Sequence, residues 1–203
     1  MANKPKVYIV DDDPAVRQST RVLLEVVGLE TAEYGTAQAF LDAYNPEQRG
    51  CLVLDVRMPG MSGMELQQRL SEQGIDIPVI IITGHGEVAM AVQAIKCGAV
   101  DFFTKPFSPQ ELLQRVQQAI AEDEKKCQER AWKREIHARL DGLTARQREV
   151  MEAVLTGKNN RTIADDLGVT TKAIEAHRKK LMAKMEASSM AELARFAMAC
   201  DLL

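Results

Sequence analysis

Cysteine is scarce in this chain of 203 residues: Cys51, Cys97, Cys127 and Cys200 stand far apart, with no CxxC pair and no histidine at metal-ligand spacing. That excludes a disulfide scaffold and a zinc module, and leaves reduced thiols in structural roles. No apolar run approaches the ~18 residues needed to cross a bilayer. The N-terminus MANKPKVYIVDDD lacks the basic-then-apolar order of a secretory signal, so a cytoplasmic protein with no membrane partner is expected. What the chain does have, 46% apolar and 27% charged residues, is the make-up of an ordinary globular protein rather than of a disordered, collagenous or low-complexity one. Its length permits one large domain or two small ones, each able to bury a core.

Net charge is low, at -3, but unevenly spread. Residues 1–122 carry 10 Lys and Arg against 16 Asp and Glu, whereas residues 123–203 carry 16 against 13. An acidic first part suits a cation and a basic second part suits a polyanion.

The first 120 residues alternate short apolar runs with helical patterns. Lys6–Asp11, Leu29–Tyr34, Cys51–Asp55, Pro78–Thr83 and Val100–Thr104 are short, apolar and bounded by turn residues, as buried parallel strands are. Between and after them Pro14–Val27, Thr36–Tyr44, Gly63–Gln73, Glu87–Cys97 and Pro109–Ala121 have helical spacing. Five repeats of strand then helix, joined by right-handed crossovers, predict an α/β doubly wound five-stranded parallel sheet over residues 1–121. Its ligands then sit at the carboxyl ends of the strands.

In Glu122–Leu140 the composition shifts: 11 of 19 residues are charged and none is Pro or Gly. This reads as a helical linker, 122–140, able to extend the helix before it. Ala121, Cys127 or Ala131, Trp132, Ile136 and Leu140 form a thin apolar seam through which it can pair with a copy of itself. From 141 to 203 the pattern is all helical. Thr144–Thr156, Asn160–Leu167, Thr171–Met185 and Met190–Ala199 are expected as four helices, with Thr144 capping the first.

The predicted sheet collects carboxylates at one edge, because the first strand ends in Asp11-Asp12-Asp13 and the third in Asp55. Crowded carboxylates repel, and a hard oxygen-seeking cation such as Mg²⁺ relieves them. Thr83 and Lys105 end strands at the same edge. A hydroxyl and an ammonium beside a cation and a nucleophilic carboxylate suit phosphoryl transfer, which depends on positioning and charge neutralisation. Asp13 reads as the cap of the Pro14 helix, Met58, Met61 and Met64 as packing from a Pro/Gly loop, His85 as a solvent-facing loop residue, and Phe102 as a core aromatic or something more.

The acidic pair, VLDVRMPGMSG, IIITGHG and DFFTKPF, in that order, make residues 6–121 resemble the receiver domain of a bacterial two-component response regulator. The resemblance implies that Asp55 accepts a phosphoryl group from a sensor histidine kinase. It implies that Asp11, Asp12 and Asp55 hold Mg²⁺ together with the main-chain carbonyl of Arg57, and that Thr83 and Lys105 contact the phosphoryl oxygens. Phe102 becomes the switch aromatic and Lys105-Pro106 a cis bond.

On a helical wheel of Thr171–Met185, Ile174, Leu181 and Met185 share one stripe, with His177 and Arg178 at its margins. Opposite lie Lys172, Ala176, Lys179 and Ala183, flanked by Glu175 and Lys180. Small residues between lysines let a helix enter the major groove, and Asn160–Leu167 with the turn Gly168-Val169-Thr170 completes a helix-turn-helix outline. The same pattern also fits a small bundle with a solvated lysine face. LTARQREVMEAV, NNRTIADDLGV and AIEAHRKKLMAKM resemble the LuxR-type four-helix DNA-binding domain, and with the receiver the whole chain resembles the FixJ branch of response regulators. That resemblance implies base contacts from Glu175, Ala176 and Lys179 and phosphate contacts from Lys172, Arg178 and Lys180, with Asn160 a further candidate. Promoter DNA, RNA polymerase and, on phosphorylation, a second copy of the chain are then the partners.

Two other functions share parts of the pattern. An aspartate-nucleophile phosphatase would use Asp55, Mg²⁺ and Lys105, but needs a second carboxylate two residues after the nucleophile, where this chain has Arg57; a non-enzyme is expected. A helix-turn-helix can also bind protein, and a salt-dependent shift of DNA separates the two cases.

Overall fold

The computed structural model describes residues 4–45, 48–84, 88–200 and 202. The readings for His85 and for a helix start at Glu87 lie outside them. The chain divides into two compact units, Met1–Lys126 and Cys127–Leu203.

In the first unit five strands alternate with helices: β1 (Lys6–Val10), α1 (Pro14–Glu25), β2 (Glu30–Tyr34), α2 (Ala37–Ala43), β3 (Gly50–Asp55), α3 (Gly63–Glu72), β4 (Val79–Thr83), α4 (Val88–Lys96), β5 (Asp101–Thr104) and the start of α5 (Pro109–Asp141). All strand pairs are parallel and the order is β2-β1-β3-β4-β5. This is the expected doubly wound sheet, and the two-residue period of a strand explains how it is covered. Tyr8, Val10, Leu52, Leu54, Val79 and Ile81 face one layer with Phe40 of α2, Leu66 and Leu70 of α3 and Ala94 of α4. Val7, Ile9, Cys51, Val53, Ile80 and Ile82 face the other, with Leu24 of α1 and Leu112, Val116 and Ala119 of α5. Burying each large apolar side chain is worth about 1.5–3 kcal/mol, so register is held firmly from both sides.

Local signals set where helices begin. Asp13 caps α1, its side chain accepting the Ala15 N–H at 2.8 Å, with Pro14 in the first turn. Ser62 and Glu65 form a reciprocal capping box at the start of α3. Both place the loops that follow β1 and β3.

The expected linker is continuous helix: α5 runs through residues 122–140 to Asp141. Only the C-terminal part of its apolar seam is covered, while Ala121 and Ala131 stay exposed. Ile136 and Leu140 are buried with Leu143, Met151, Leu181, Met185, Leu193 and Phe196, and Trp132 meets Phe196 edge-on at 6.2 Å between ring centroids. The end of α5 therefore belongs to the core of the second unit. Around it stand α6 (Ala145–Leu155), α7 (Asn160–Leu167), α8 (Thr171–Met185) and α9 (Met190–Ala199), the four expected helices. Thr144 caps α6 in a capping box with Gln147. Gly168 ends α7 in the left-handed region, with φ of 65°, which turns the chain into the Thr170 cap of α8.

Candidate functional site

Each side chain of the first unit's candidate site comes from the last residue of a strand or the loop directly after it. Parallel strands end together, so Asp11 after β1, Asp55 at the end of β3, Thr83 at the end of β4 and Lys105 after β5 are brought to one edge. Asp55 lies opposite Ile82 in register, and the Lys105 N–H donates to the Thr83 carbonyl at 2.8 Å. Asp11 and Thr83 are fully buried and Asp55 nearly so.

Lys105 joins the two buried carboxylates. Its Nζ donates to Asp11 Oδ2 at 2.6 Å and to Asp55 Oδ1 at 2.8 Å. The other oxygen of Asp55 accepts the Arg57 backbone N–H at 2.6 Å. Burial pushes the Asp55 carboxyl above its usual range, against the pull of Lys105. For Lys105 burial works against the charge, but the hydrogen bonds to Asp11 and Asp55 outweigh it and hold the ammonium above the ordinary lysine value. The pair is therefore a reluctant carboxylate beside a firmly protonated lysine, an arrangement that gains from further positive charge at Asp55 and can receive an electrophile there.

Asp12 sits differently from Asp11 and Asp55. Asp12 is exposed, and among the described residues no three Asp, Glu, His or Cys side chains stand where one metal ion would be held. Beside it the Asp13 N–H donates to Asp11 Oδ1 at 2.9 Å. The donors are nonetheless all hard oxygens, the kind Mg²⁺ takes. Phe102, opposite Ile81 on β5, is half-buried against the cluster that includes Ala94 of α4. Met58 is buried in that cluster, with Met61 and Met64 packed on it. The Lys105-Pro106 bond is cis, as expected.

In the second unit α8 buries Ile174, Leu181 and Met185 and exposes Lys172, Glu175, Ala176, Lys179, Lys180 and Ala183. Arg178 differs: half-buried, it donates to Asn160 Oδ1 at 2.8 Å and so ties α8 to the first residue of α7. The two candidate phosphate ligands are thus bound to each other. His177 is half-buried, consistent with a packing role.

These two geometries coincide with two known families. The response regulator receiver domain matches residues 7–117, and the luxR family of bacterial regulatory proteins matches residues 141–197. Over all 203 residues the chain is 41% identical to the transcriptional regulatory protein FixJ of Bradyrhizobium diazoefficiens, covering 100% of this chain and 99% of that one. The chain belongs to the FixJ-type response regulators. FixJ of Azorhizobium caulinodans is 43% identical over 192 residues, 95% of this chain and 91% of its own. Among solved structures, response regulator StyR superposes with a TM-score of 0.90 at 39% identity, over 96% of this chain and 98% of that one. Full-length FixJ from B. japonicum gives 0.60 at 40% identity, over the whole of both chains. This response regulator is a phosphorylation-dependent transcriptional regulator of a two-component system, with a receiver that implies a sensor kinase and a LuxR-type domain that implies DNA binding. None of its helices among the described residues is long and apolar enough to cross a membrane.

Sequence reasoning passed over three residues of the regulator's receiver. Arg17 reaches back one turn from α1, its Nη1 donating to the Asp11 carbonyl at 2.6 Å. Gly63 opens α3 so close to β3 that a Cβ there would collide with the Asp55 carbonyl oxygen. The glycine directly after the Ser62 cap was a signal available in the sequence. Asp123 is a buried acid on α5 inside the charged segment, and nothing in the local pattern marked it.

Proposed function

We propose that Asp55 is the phosphoacceptor. The observation that carries this is its position: a nearly buried carboxylate at a strand end, between the Lys105 ammonium and the Arg57 N–H, with the Thr83 hydroxyl group on the neighbouring strand end. A carboxylate oxygen of Asp55 attacks phosphorus, the P–N bond of the kinase phosphohistidine breaks, and the imidazole nitrogen keeps the electron pair. Lys105 meets the charge of the transferred group and Thr83 donates to one of its oxygens. Asp11, Asp12, Asp55 and the Arg57 carbonyl are the groups that would hold Mg²⁺, which supplies charge neutralisation when bound. Arg57, exposed where a phosphatase needs its second carboxylate, supports a stable phosphorylated regulator in preference to a turnover enzyme.

The same reading assigns residues 1–121 to the receiver, 122–140 to a helical connection and 141–203 to the DNA-binding domain. Lys172, Arg178, Lys180 and Asn160 contact phosphates, and Glu175, Ala176 and Lys179 face base edges, Glu175 accepting from a cytosine amine. Val92 and Ile95 of α4 stand about half exposed, at 48% and 49%. They support a face of α4 and β5 as the surface on which phosphorylated copies pair. A near-palindromic operator with half-sites ~10 bp apart, or a multiple of that, follows from such a dimer. RNA polymerase is the downstream partner and the cytoplasm the compartment.

The test is direct. The protein is incubated with acetyl phosphate and Mg²⁺, trapped with borohydride and mapped by mass spectrometry. The label is expected on Asp55 and absent from Asp55→Asn; a label on Asp11, Asp12 or Asp13 overturns the assignment.

A further inference from the structure

The end of α8 carries a strained residue. Glu186 caps the helix in the left-handed region, with φ of 53° and ψ of 33°. Among the described residues every other position with positive φ is a glycine, Gly168 at the end of α7 included. A Cβ disfavours that conformation, and a carboxylate at a helix C-terminus opposes the helix dipole as well. Local chemistry asks for glycine at 186, so a contact with another segment must account for the glutamate. That contact is with Arg139, in the part of α5 that belongs to the second unit. Arg139 Nη2 lies 2.8 Å from Glu186 Oε2, and Nη1 donates to the Met185 carbonyl, the last of α8, at 3.2 Å. Nη2 also donates to Glu135 Oε1, one turn back on α5, at 2.8 Å, which sets the direction of the arginine side chain. Beside this clasp Lys184 turns its ammonium into the protein, donating to the Gly142 carbonyl at 2.7 Å and to Oε1 of the buried Gln147 at 3.0 Å.

We infer that Arg139 and Glu186 are positioning residues for DNA reading. Their clasp fixes the C-terminal end of α8, as the contact of Arg178 with Asn160 fixes that helix against α7, and so holds Glu175, Ala176 and Lys179 at the angle that base edges require. The inference rests on the assignment of α8 as the base-reading helix. With the Glu186 side chain 69% exposed, the ion pair adds little stability. What it supplies is direction, because an arginine that holds both the last carbonyl and the cap carboxylate leaves the helix end one seating. Hydrogen bonds to base edges need fixed geometry, whereas a phosphate contact made by a long, flexible side chain tolerates a shift of the helix. Loss of the clasp therefore shows in discrimination between sequences before it shows in affinity for DNA in general.

The full-length protein, treated with acetyl phosphate and Mg²⁺, is used to select a duplex from random sequence. Affinities are then measured for that duplex and for a shuffled duplex of equal length at one salt concentration. Arg139→Gln and Glu186→Gly are each expected to lower the ratio of the two affinities about tenfold, the scale of one lost base contact, while binding to the shuffled duplex changes by less than about twofold. Chemical melts give a readout that a merely structural role would move the other way: Glu186→Gly should unfold at the same denaturant concentration as wild type or a higher one, because glycine suits the left-handed cap. The double variant should lose no more than either single variant, since both remove one clasp. A ratio within about twofold of wild type in either variant, a lower melting midpoint in Glu186→Gly, or losses that add in the double variant overturns the inference. A wild type that selects no sequence overturns the assignment of α8 and the inference with it, which separates the two failures.

Discussion

Gly63 opens α3 directly against the Asp55 backbone: there is no room for a Cβ between the helix and the Asp55 carbonyl oxygen. The Gly63 N–H donates to the Val56 carbonyl at 2.9 Å, so the helix start and the end of β3 are locked together. Because the atoms in the way are backbone, Gly63→Ala must shift the strand end itself. It should cost about 1–3 kcal/mol, the usual range for overpacking. It should also slow labelling by acetyl phosphate at temperatures where the variant is fully folded, which separates displacement of Asp55 from loss of fold.

Asp55→Asn should stabilise the receiver at neutral pH while abolishing phosphorylation. The sign follows from the raised pKa of Asp55: the folded state disfavours its charge, so an uncharged isostere removes a cost. As pH falls through the folded pKa the wild-type carboxyl takes up a proton, the cost disappears, and the gap between the two proteins should close. Thermal melts from pH 7 downward check both statements; a variant less stable than wild type at pH 7 contradicts them.

Thr83→Ala should leave Asp55 labelling largely intact while lowering dimerisation and DNA affinity. Thr83 is fully buried at the end of β4, beside β5 and its half-buried Phe102, and its hydroxyl is the group proposed to move toward the phosphoryl oxygens. Sedimentation of the two phosphorylated proteins decides the matter: equal dimer fractions would show that Thr83 carries no signal to the dimer surface.

Two basic residues of α8 should behave differently. Arg178 holds Asn160 across the α7–α8 turn, so Arg178→Leu should cost about 1–2 kcal/mol of stability as well as DNA affinity. Lys172 is exposed, and Lys172→Ala should change stability by less than about 0.5 kcal/mol. Binding should weaken on all DNA sequences alike, with the salt slope reduced by about one. Chemical melts paired with salt titrations of binding distinguish the two.

Ile136→Ala should destabilise the second unit by about 2–5 kcal/mol, because Ile136 is 1% exposed within its core. A residue in a surface seam between copies would instead alter self-association and leave the melt unchanged.

The parallel sheet and the four C-terminal helices were legible because burial from two sides writes continuous apolar runs, and amphipathic helices write a 3.6-residue period. Asp13 and Thr144 marked helix starts through chemistry confined to three or four residues. Asp11, Asp55, Thr83 and Lys105 could be placed together from sequence because parallel strands end at one edge. Contacts between segments were beyond any local pattern. The burial of Ile136 and Leu140 depends on α6, α8 and α9 closing over them, and a charged flank conceals it. The pairing of Arg178 with Asn160 depends on the turn at Gly168 bringing two helices face to face. Residue type and spacing set which groups reach the edge of the sheet; packing and hydrogen-bond geometry decide which of them meet.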